Sequence, residues 1–340
     1  MGPYSHPHDG EDTTHATAEL VSADTPIVSV LITTRDRPLQ LVEAVRSVLA
    51  NTVRTIEVLV VDQSDTSQSK ALLQTRFSGD SRIRYIADDG RGISHGRNVG
   101  LAQARADLIA ITDDDCLVTP TWIARLLAAC AQFPEAMLIF GTVGAPPHNY
   151  RKQVVPVEML TERRIEYGLV GHAARLEGIG AHMALRRELI ERIGAFDPRF
   201  GSGGERWSGE DYELHYRALC AGCGVLVEPE IVVTHLGFRP IADAWDLWRR
   251  DALGNGALTA RLVRDGRHGA AWRFWWWNVG RVLANAFFHT IFFQYPTGTR
   301  LAYWMIGHSL RGFVKEWREP GAQVTPCAGS APSGLDCAAV

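Results

Sequence analysis

Three consecutive acids, Asp113-Asp114-Asp115, follow the apolar run Leu108-Ile109-Ala110-Ile111. A run of this kind reads as a buried strand, so the acids fall at its carboxyl edge. Alternate side chains of an extended segment share a side; Asp113 and Asp115 are therefore expected to address one ligand, with Asp114 facing away. Hard oxygens grouped this way suit Mg²⁺ or Mn²⁺ shared with a diphosphate, and a solvated acidic turn is the plain alternative. Asp62 closes the run Ile56–Val61 in the same manner, and Asp36 follows Ile27–Thr33. Acids ending three strands are expected to converge, because loops at the carboxyl edge of a parallel sheet meet in space.

Two further segments carry candidate chemistry. In Asp88–Asn98 the glycines let backbone approach a ligand, Ser94 is placed to cap a helix whose N-terminus favours an anion, and Arg91 and Arg97 are candidate phosphate partners. In Gly209-Glu210-Asp211-Tyr212-Glu213-Leu214 the acids fall in a first helical turn. There a carboxylate stabilises the helix dipole or, with a raised pKa in a closed cleft, deprotonates a hydroxyl. His235 ends the run Ile231–Thr234, where a neutral imidazole can reach a metal or serve structure alone.

The elements that must position these residues alternate. Strands are expected at Ile27–Thr33, Ile56–Val61, Ile83–Ile86, Leu108–Thr112 and Met137–Val143, with helices at Leu39–Leu49 behind Pro38, Ser69–Phe77, Ser94–Ala104 and Thr121–Ala131. Such alternation implies an α/β fold with a mostly parallel sheet flanked by helices. Residues 144–177 read as a long loop or a short helical excursion. Ile179–Leu185 reads as a strand, Arg187–Ile193 and Gly209–Ala221 as helices, and Val225–Val227 and Ile231–Thr234 as strands. The glycine-rich stretch Gly201-Ser202-Gly203-Gly204 reads as a mobile or tightly turned loop.

Beyond Pro240 the chain turns helical, aromatic and basic, with Trp272, Trp275, Trp276 and Trp277 beside Arg267, Arg273 and Arg281. This suits either an interfacial hairpin on an anionic membrane or a subdomain packing its aromatics on the core. Residues 282–299 lack charge but are short for a span and interrupted by Pro296 and Gly298. The expected organisation is a disordered segment over 1–25, a main domain over 26–240, a helical, aromatic-rich extension over 241–320 and a disordered tail over 321–340.

Composition narrows the function. With 340 residues, 46% hydrophobic and 21% charged, the chain is an ordinary globular one. A net charge of −3 argues against a nucleic acid partner. Six scattered cysteines argue for a reducing compartment, and the Cys220/Cys223 pair, without a second such pair, reads as packing at a helix end. No apolar stretch near the N-terminus reads as a signal peptide, so a cytoplasmic location is expected, with peripheral contact at the inner face of the cell membrane the variant that the aromatic extension suggests.

Taken in order, these segments resemble glycosyltransferase family 2, whose members have the GT-A fold. The family's PxVSVxIxTxxRP is matched by Pro26–Pro38 and its VVDxSD by Val60–Asp65. GxSxxRNxGLAxAxxxxIAxxDDDC is matched by Gly92–Cys116, and GEDxEL with a downstream EPExxVxH by Gly209–His235. The resemblance implies an inverting, metal-dependent transferase that moves a sugar from a nucleotide-diphosphate donor, UDP foremost with GDP or dTDP as alternatives, to an acceptor hydroxyl. It implies that Thr33, Arg35 and Asp62 line the nucleoside pocket, Arg97 lies near the diphosphate, and Asp113, with Asp114 beside it, lies near the ribose. Asp115 would hold Mn²⁺ or Mg²⁺, with Asp113 and His235 as further ligands; Asp211 would be the general base and Glu210 its neighbour at the acceptor site. His182 stands where the family often has Asn in GxNxxxR, which bears on sugar selectivity. A sugar-nucleotide nucleotidyltransferase, or a catalytically silent nucleotide-sugar binder or membrane scaffold, are the competing readings.

Overall fold

Every residue of β1 (Val28–Thr34) except Thr33 is buried, because both faces of its sheet are covered. Val28, Val30 and Ile32 enter one core cluster and Leu31 the other, following the two-residue period of a strand. The computed structural model describes residues 25–169, 176–280 and 296–320. The first cluster is closed by α1 (Pro38–Leu49), which buries Leu41, Val42, Val45, Val48 and Leu49; Pro38 opens it, where a missing N–H costs nothing. β2 (Ile56–Asp62), α2 (Gln68–Arg76), β3 (Ile83–Ala87), α3 (Ile93–Gln103) and β4 (Leu108–Asp113) follow in alternation, as their periodicity implies.

The chain continues through β5 (Cys116–Val118), α4 (Trp122–Gln132), β6 (Ala136–Gly144), β7 (Gln153–Val154), β8 (Arg164–Glu166), β9 (His182–Arg186), α5 (Arg187–Ile193), α6 (Glu210–Cys220), β10 (Gly224–His235) and β11 (Arg239–Pro240). The nine-stranded sheet runs β3-β2-β1-β4-β9-β6-β10-β5, with β8 also on β10. It is mostly parallel; β9 is antiparallel to both neighbours. Because β1 lies between β2 and β4, the strand order reverses there, and a crevice opens beyond their carboxyl ends.

Three local expectations change. The stretch expected to be a loop between 144 and 177 carries the short strands β7 and β8. The two strands expected at 225–227 and 231–234 are one, β10, whose register shifts between Glu228 and Val232 around Pro229, a residue with no N–H for the ladder. Finally, β5 is a three-residue strand antiparallel to β10, too short to show periodicity.

The helices after Pro240 are α7 (Ala244–Arg264), α8 (His268–Trp275), a π-helical turn at Trp276–Gly280, and α9 (Pro296–Arg318). Ala257, Leu258, Leu262, Ala271 and Phe274 join the second core cluster, while Trp272, Trp276 and Trp277 are exposed. The aromatics thus divide between core and surface. Helices α7 and α9 approach closely at glycines: a Cβ on Gly256 would meet Ser309 O at 1.9 Å, and one on Gly312 would meet Leu253 O at 2.0 Å. Among the described residues no helix is long and apolar enough to cross a membrane. The terminal segments 1–24 and 321–340, and most of 282–299, lie outside the described residues.

Charge locks these helices to the sheet domain. Arg261 of α7 pairs with Glu213 of α6, with Asp197 at 2.8 Å and with Glu316 of α9 at 3.2 Å. The buried Arg206 adds Nε to Glu316 Oε2 at 3.0 Å, and Arg217 grips Glu213 at 2.8 to 3.0 Å while donating to the carbonyls of Ile193, Gly194 and Ala195. Asp197 is held well below the usual carboxylate range: burial alone would raise it, but Arg199 and Arg261 outweigh that. Removing one member of such a network leaves unpaired charge in the interior. Glu316→Ala is therefore expected to cost about 3–5 kcal/mol in urea unfolding; a loss under about 1 kcal/mol would place it with exposed pairs.

Candidate functional site

The carboxyl ends of three strands are level, since Thr34 pairs with Asp62 on one side of β1 and Thr33 with Asp113 on the other. Beyond this edge lies a cavity of about 710 Å³, within the range of small-molecule sites. Asp113, Asp114 and Asp115 all line it. The expected alternation fails here, because β4 ends at Asp113 and Asp114 and Asp115 form a turn into β5. Asp114, rather than facing away, accepts from Thr34 Oγ1 at 2.6 Å and Arg37 Nη1 at 3.0 Å. Asp115 accepts from the same Arg37 nitrogen at 2.9 Å. Burial pushes Asp114 up to about 6, with Arg37 and Thr34 acting against it.

Asp115, Cys116 and His235 bring an oxygen, a sulfur and a nitrogen within 4.8 Å of one another. The Cys116 thiol lies in the core; of the other two donors, the Asp115 carboxylate is the one that suits Mn²⁺ or Mg²⁺. The space beside them is kept by Gly237, where a Cβ would lie 2.4 Å from Asp115 Oδ2. Gly237 N–H donates to His235 Nδ1 at 2.9 Å, which leaves the ring proton on Nε2, 3.6 Å from Asp115 Oδ1. To ligate a cation through Nε2 the ring would have to carry its proton on Nδ1 and give up the Gly237 hydrogen bond. With that shift Asp115 and His235 offer an oxygen and a nitrogen to a divalent ion. Asp113 stands apart, with its Oδ1 3.2 Å from Arg97 Nη2.

Arg97 is fully buried and also donates to Glu210 Oε1 at 2.9 Å. Gly180 is bare of necessity, since a Cβ there would meet the guanidinium at 2.5 Å. With Glu210 taking the cation, Asp211 accepts, among the described residues, from main-chain N–H groups alone, Gly180 at 2.9 Å and Tyr212 at 2.8 Å. Burial, then the neighbouring Glu210 charge, push Asp211 well above the usual carboxylate range; the two N–H groups and Arg97 oppose this. Glu210 and Asp211 both line the cavity.

The loop from Gly201 to Ser208 is tightly turned and anchored. Ile93 N–H donates to Ser202 O at 2.9 Å, and Gly203 lies so near Gly92 that its Cβ would be 2.7 Å from Gly92 Cα. Arg206 fastens the loop to α9. Trp207 lines the cavity at φ 66, a strained conformation for a bulky residue. Ser94 does not cap α3, whose N-cap is Gly92; its hydroxyl donates to Phe200 O at 2.7 Å and so also holds the loop.

Other expected residues are distributed as follows. Thr33 and Arg35 line the cavity, and Arg35 lies 3.5 and 3.6 Å from Asp36 and Asp65. Asp62 is buried and absent from the cavity wall, accepting from Tyr85 Oη at 2.8 Å and Ser64 N at 2.9 Å; the next residue, Gln63, lines it. Arg91 pairs with Asp65. His182 lies within the core: Trp122 Nε1 donates to its Nε2 at 2.9 Å and its Nδ1–H donates to Thr142 O at 3.1 Å. It does not line the cavity, so its place in the sequence bears on packing and not on sugar contact. Sequence reading did not find Arg37, Gln63, Trp207, Arg239, Arg250 or Asp251. Arg37 alone carried a local signal, two residues from Arg35 in the turn after β1.

Residues 29–194 match the model described as Glycosyl transferase family 2. Glucosyl-dolichyl phosphate glucuronosyltransferase of Haloferax volcanii is 28% identical over 176 residues, which is 48% of this chain and 53% of that protein. Validoxylamine A glucosyltransferase of Streptomyces hygroscopicus is 25% identical over 233 residues, covering 60% of this chain and 54% of the other. The chain thus spans about half the length of the curated relatives it matches. In fold it resembles mannosyltransferase PcManGT from Pyrobaculum calidifontis, solved with GDP-Man and Mn²⁺, with a TM-score of 0.59, 16% identity and coverage of 86% of this chain and 88% of that one. The sheet and flanking helices are accordingly those of the GT-A fold.

Burial drives the His182 pKa down to about 4 from an ordinary 6.5. Between those values an unfolded chain binds a proton that the folded chain does not, so stability is present above pH 6.5 and lost as pH falls toward 4. His182→Gln keeps an acceptor and a donor without the titration. At pH 4.5 the wild type is expected to have lost about 2–3 kcal/mol more than this variant, relative to pH 7.5, in urea unfolding. Equal losses would show that the ring is not held neutral.

Proposed function

We propose, from the membership of residues 29–194 in glycosyl transferase family 2, that this chain transfers a sugar from a nucleotide-diphosphate donor to an acceptor hydroxyl, with inversion and with a divalent cation. The observation that carries the reading is that a cation-competent pair, Asp115 and His235, and a buried carboxylate of raised pKa, Asp211, line one cavity at the sheet's switch point. The fold likeness to a mannosyltransferase complexed with GDP-Man and Mn²⁺ supports a nucleotide-diphosphate sugar as the class of donor and Mn²⁺ as the ion, and does not favour UDP.

In this reading Thr33, Arg35 and Gln63 face the nucleoside, and Asp62 braces the end of β2 beneath them. Asp113 lies toward the ribose; Asp114 fixes Arg37 and so the turn that presents Asp115. Asp115 and His235 hold Mn²⁺ or Mg²⁺, which when bound neutralises charge on the departing diphosphate. Asp211 takes the proton of the acceptor hydroxyl, whose oxygen attacks the anomeric carbon as the bond to the diphosphate oxygen breaks. Arg97 is a positioning residue: by pairing with Glu210 it leaves Asp211 as the basic member of the two. UDP is the foremost donor nucleotide, ahead of GDP and dTDP. Exposed Trp272, Trp276 and Trp277 beside Arg267 and Arg273 support a peripheral contact with an anionic membrane surface, and the sparse cysteines a cytoplasmic location.

Thermal unfolding with UDP, GDP or dTDP, each with Mn²⁺ and with EDTA, tests the donor site. One nucleotide is expected to stabilise the protein by about 2.7 kcal/mol at about 100 times its Kd, only with the metal, and Asp115→Ala should remove the effect. No shift with any nucleotide would favour the silent scaffold. Asp211→Asn is expected to lower kcat by about 10²–10⁴ while sparing nucleotide binding. Because the Asp211 pKa is raised, the basic form grows with pH, and wild-type kcat/KM should climb through neutral pH. A flat wild-type profile would remove Asp211 from the base role.

A further inference from the structure

The cavity continues past the carboxylate edge to a second wall, built by the loop residue Trp207, by Arg239 of β11, and by Trp248, Arg250 and Asp251 of α7. Its charge is of the other sign. At the carboxylate edge Arg37 and Arg97 are each already paired with two acids, Arg37 through Nη1 alone and Arg97 with its buried Nε left unbonded. Arg239 differs: its main chain pairs with Val154, but among the described residues its half-buried guanidinium makes no ion pair or hydrogen bond. Arg250 pairs one terminal nitrogen with Asp246 at 2.5 Å and lies 4.9 Å over the Trp207 ring, leaving its Nε buried and without a partner. The strain at Trp207, φ 66, is what brings that ring to the wall.

Asp251 shows that the two arginines act on one place. Burial raises its pKa to about 6, and the charges of both Arg239 and Arg250 oppose the rise. Yet its hydrogen bond comes from Ser208 Oγ at 3.0 Å, not from either arginine. Two arginines, each with N–H groups that bond no acid, thus line one cavity beside the same carboxyl group, and guanidinium donors of this kind suit an oxyanion.

We propose that this wall is the acceptor subsite, and that the acceptor carries an oxyanion, phosphate or carboxylate, in addition to the hydroxyl that reacts. The proposal rests on the glycosyl-transfer reading above. It assigns Arg239 and Arg250 to the acceptor and not to the donor diphosphate.

The test is calorimetric titration of the full chain, saturated with its stabilising nucleotide and Mn²⁺, with octyl phosphate, glucose 6-phosphate or glucuronate, and with neutral octyl glucoside as control. At least one anionic probe is expected to bind more tightly than octyl glucoside, and Arg239→Gln and Arg250→Gln are each expected to weaken it about tenfold with nucleotide affinity unchanged. Binding of octyl phosphate alone identifies a lipid headgroup; binding of glucose 6-phosphate as well identifies phosphate itself, and binding of glucuronate a carboxylate. Absence of binding by all three anions, or binding that both variants leave unchanged, overturns the proposal. So does a loss of nucleotide affinity in the variants, which would hand these arginines to the donor. Failure of the wild type to bind any nucleotide instead overturns the glycosyl-transfer reading itself.

Discussion

The site depends on one buried cation. Arg97 reaches from α3 to Glu210 on α6 and to Asp113 at the end of β4, so a single guanidinium fixes a helix start against a sheet edge. A charge taken wholly out of water is tolerated when opposite charge is paired with it; Glu210 and Asp113 supply that pairing, with Nε left unbonded. The pairing requires Gly180 to lack a side chain. It also divides two adjacent carboxylates: Glu210 receives the cation, and Asp211 receives two main-chain N–H groups and a like-charged neighbour. Two acids in sequence thereby acquire different proton affinities.

A second set of buried charges does for the outer wall what Arg97 does for the inner edge. Glu213 lies one turn beyond Glu210 on α6 and binds Arg217 and Arg261, and Arg261 reaches on to Glu316 of α9. The helix that carries Asp211 is therefore held at its start by Arg97 and from behind by α7 and α9. Arg206 ties the loop before α6 into the same network. Helices that the composition sets apart from the sheet domain are, by these contacts and the shared core, part of the frame of the site.

The strands and helices up to β6, apart from the three-residue β5, were legible because buried parallel strands read as continuous apolar runs and their covering helices show a 3.6-residue period. Convergence of acids at one edge was expected from topology, but of those acids only Asp113, Asp114 and Asp115 line the cavity; Asp62 and Asp36 do not, and Asp113 lies against Arg97, apart from Asp115 and His235. What failed was any reading that needed the local path of the chain. Asp114 was expected to point away on the assumption of an extended segment, yet the chain turns after Asp113. Ser94 looked like a cap, and its hydroxyl bonds a loop more than a hundred residues away in sequence. His182 stands where a family motif often has Asn, which left its role open; the Trp122 ring shows it to be core.

The residues not found share a cause. Trp207, Arg239 and the adjacent pair Arg250-Asp251 come from a loop, a two-residue strand and a long helix, and no spacing in sequence relates these three places. They become neighbours because the ion network folds α7 back over the sheet edge. The segment matching the family ends at residue 194, before all four of them and before Asp211 and His235. The inner edge, with Asp113–Asp115 and Arg97, lies inside that segment. The cavity thus joins two parts of the chain: a sheet edge with a recognisable sequence supplies Asp113–Asp115 with Arg97, and a wall set by long-range packing supplies Arg239 and Arg250 with Asp251. A substitution in the packing of α7 against α6 or α9 can therefore alter the second wall while leaving the residues at the first unchanged.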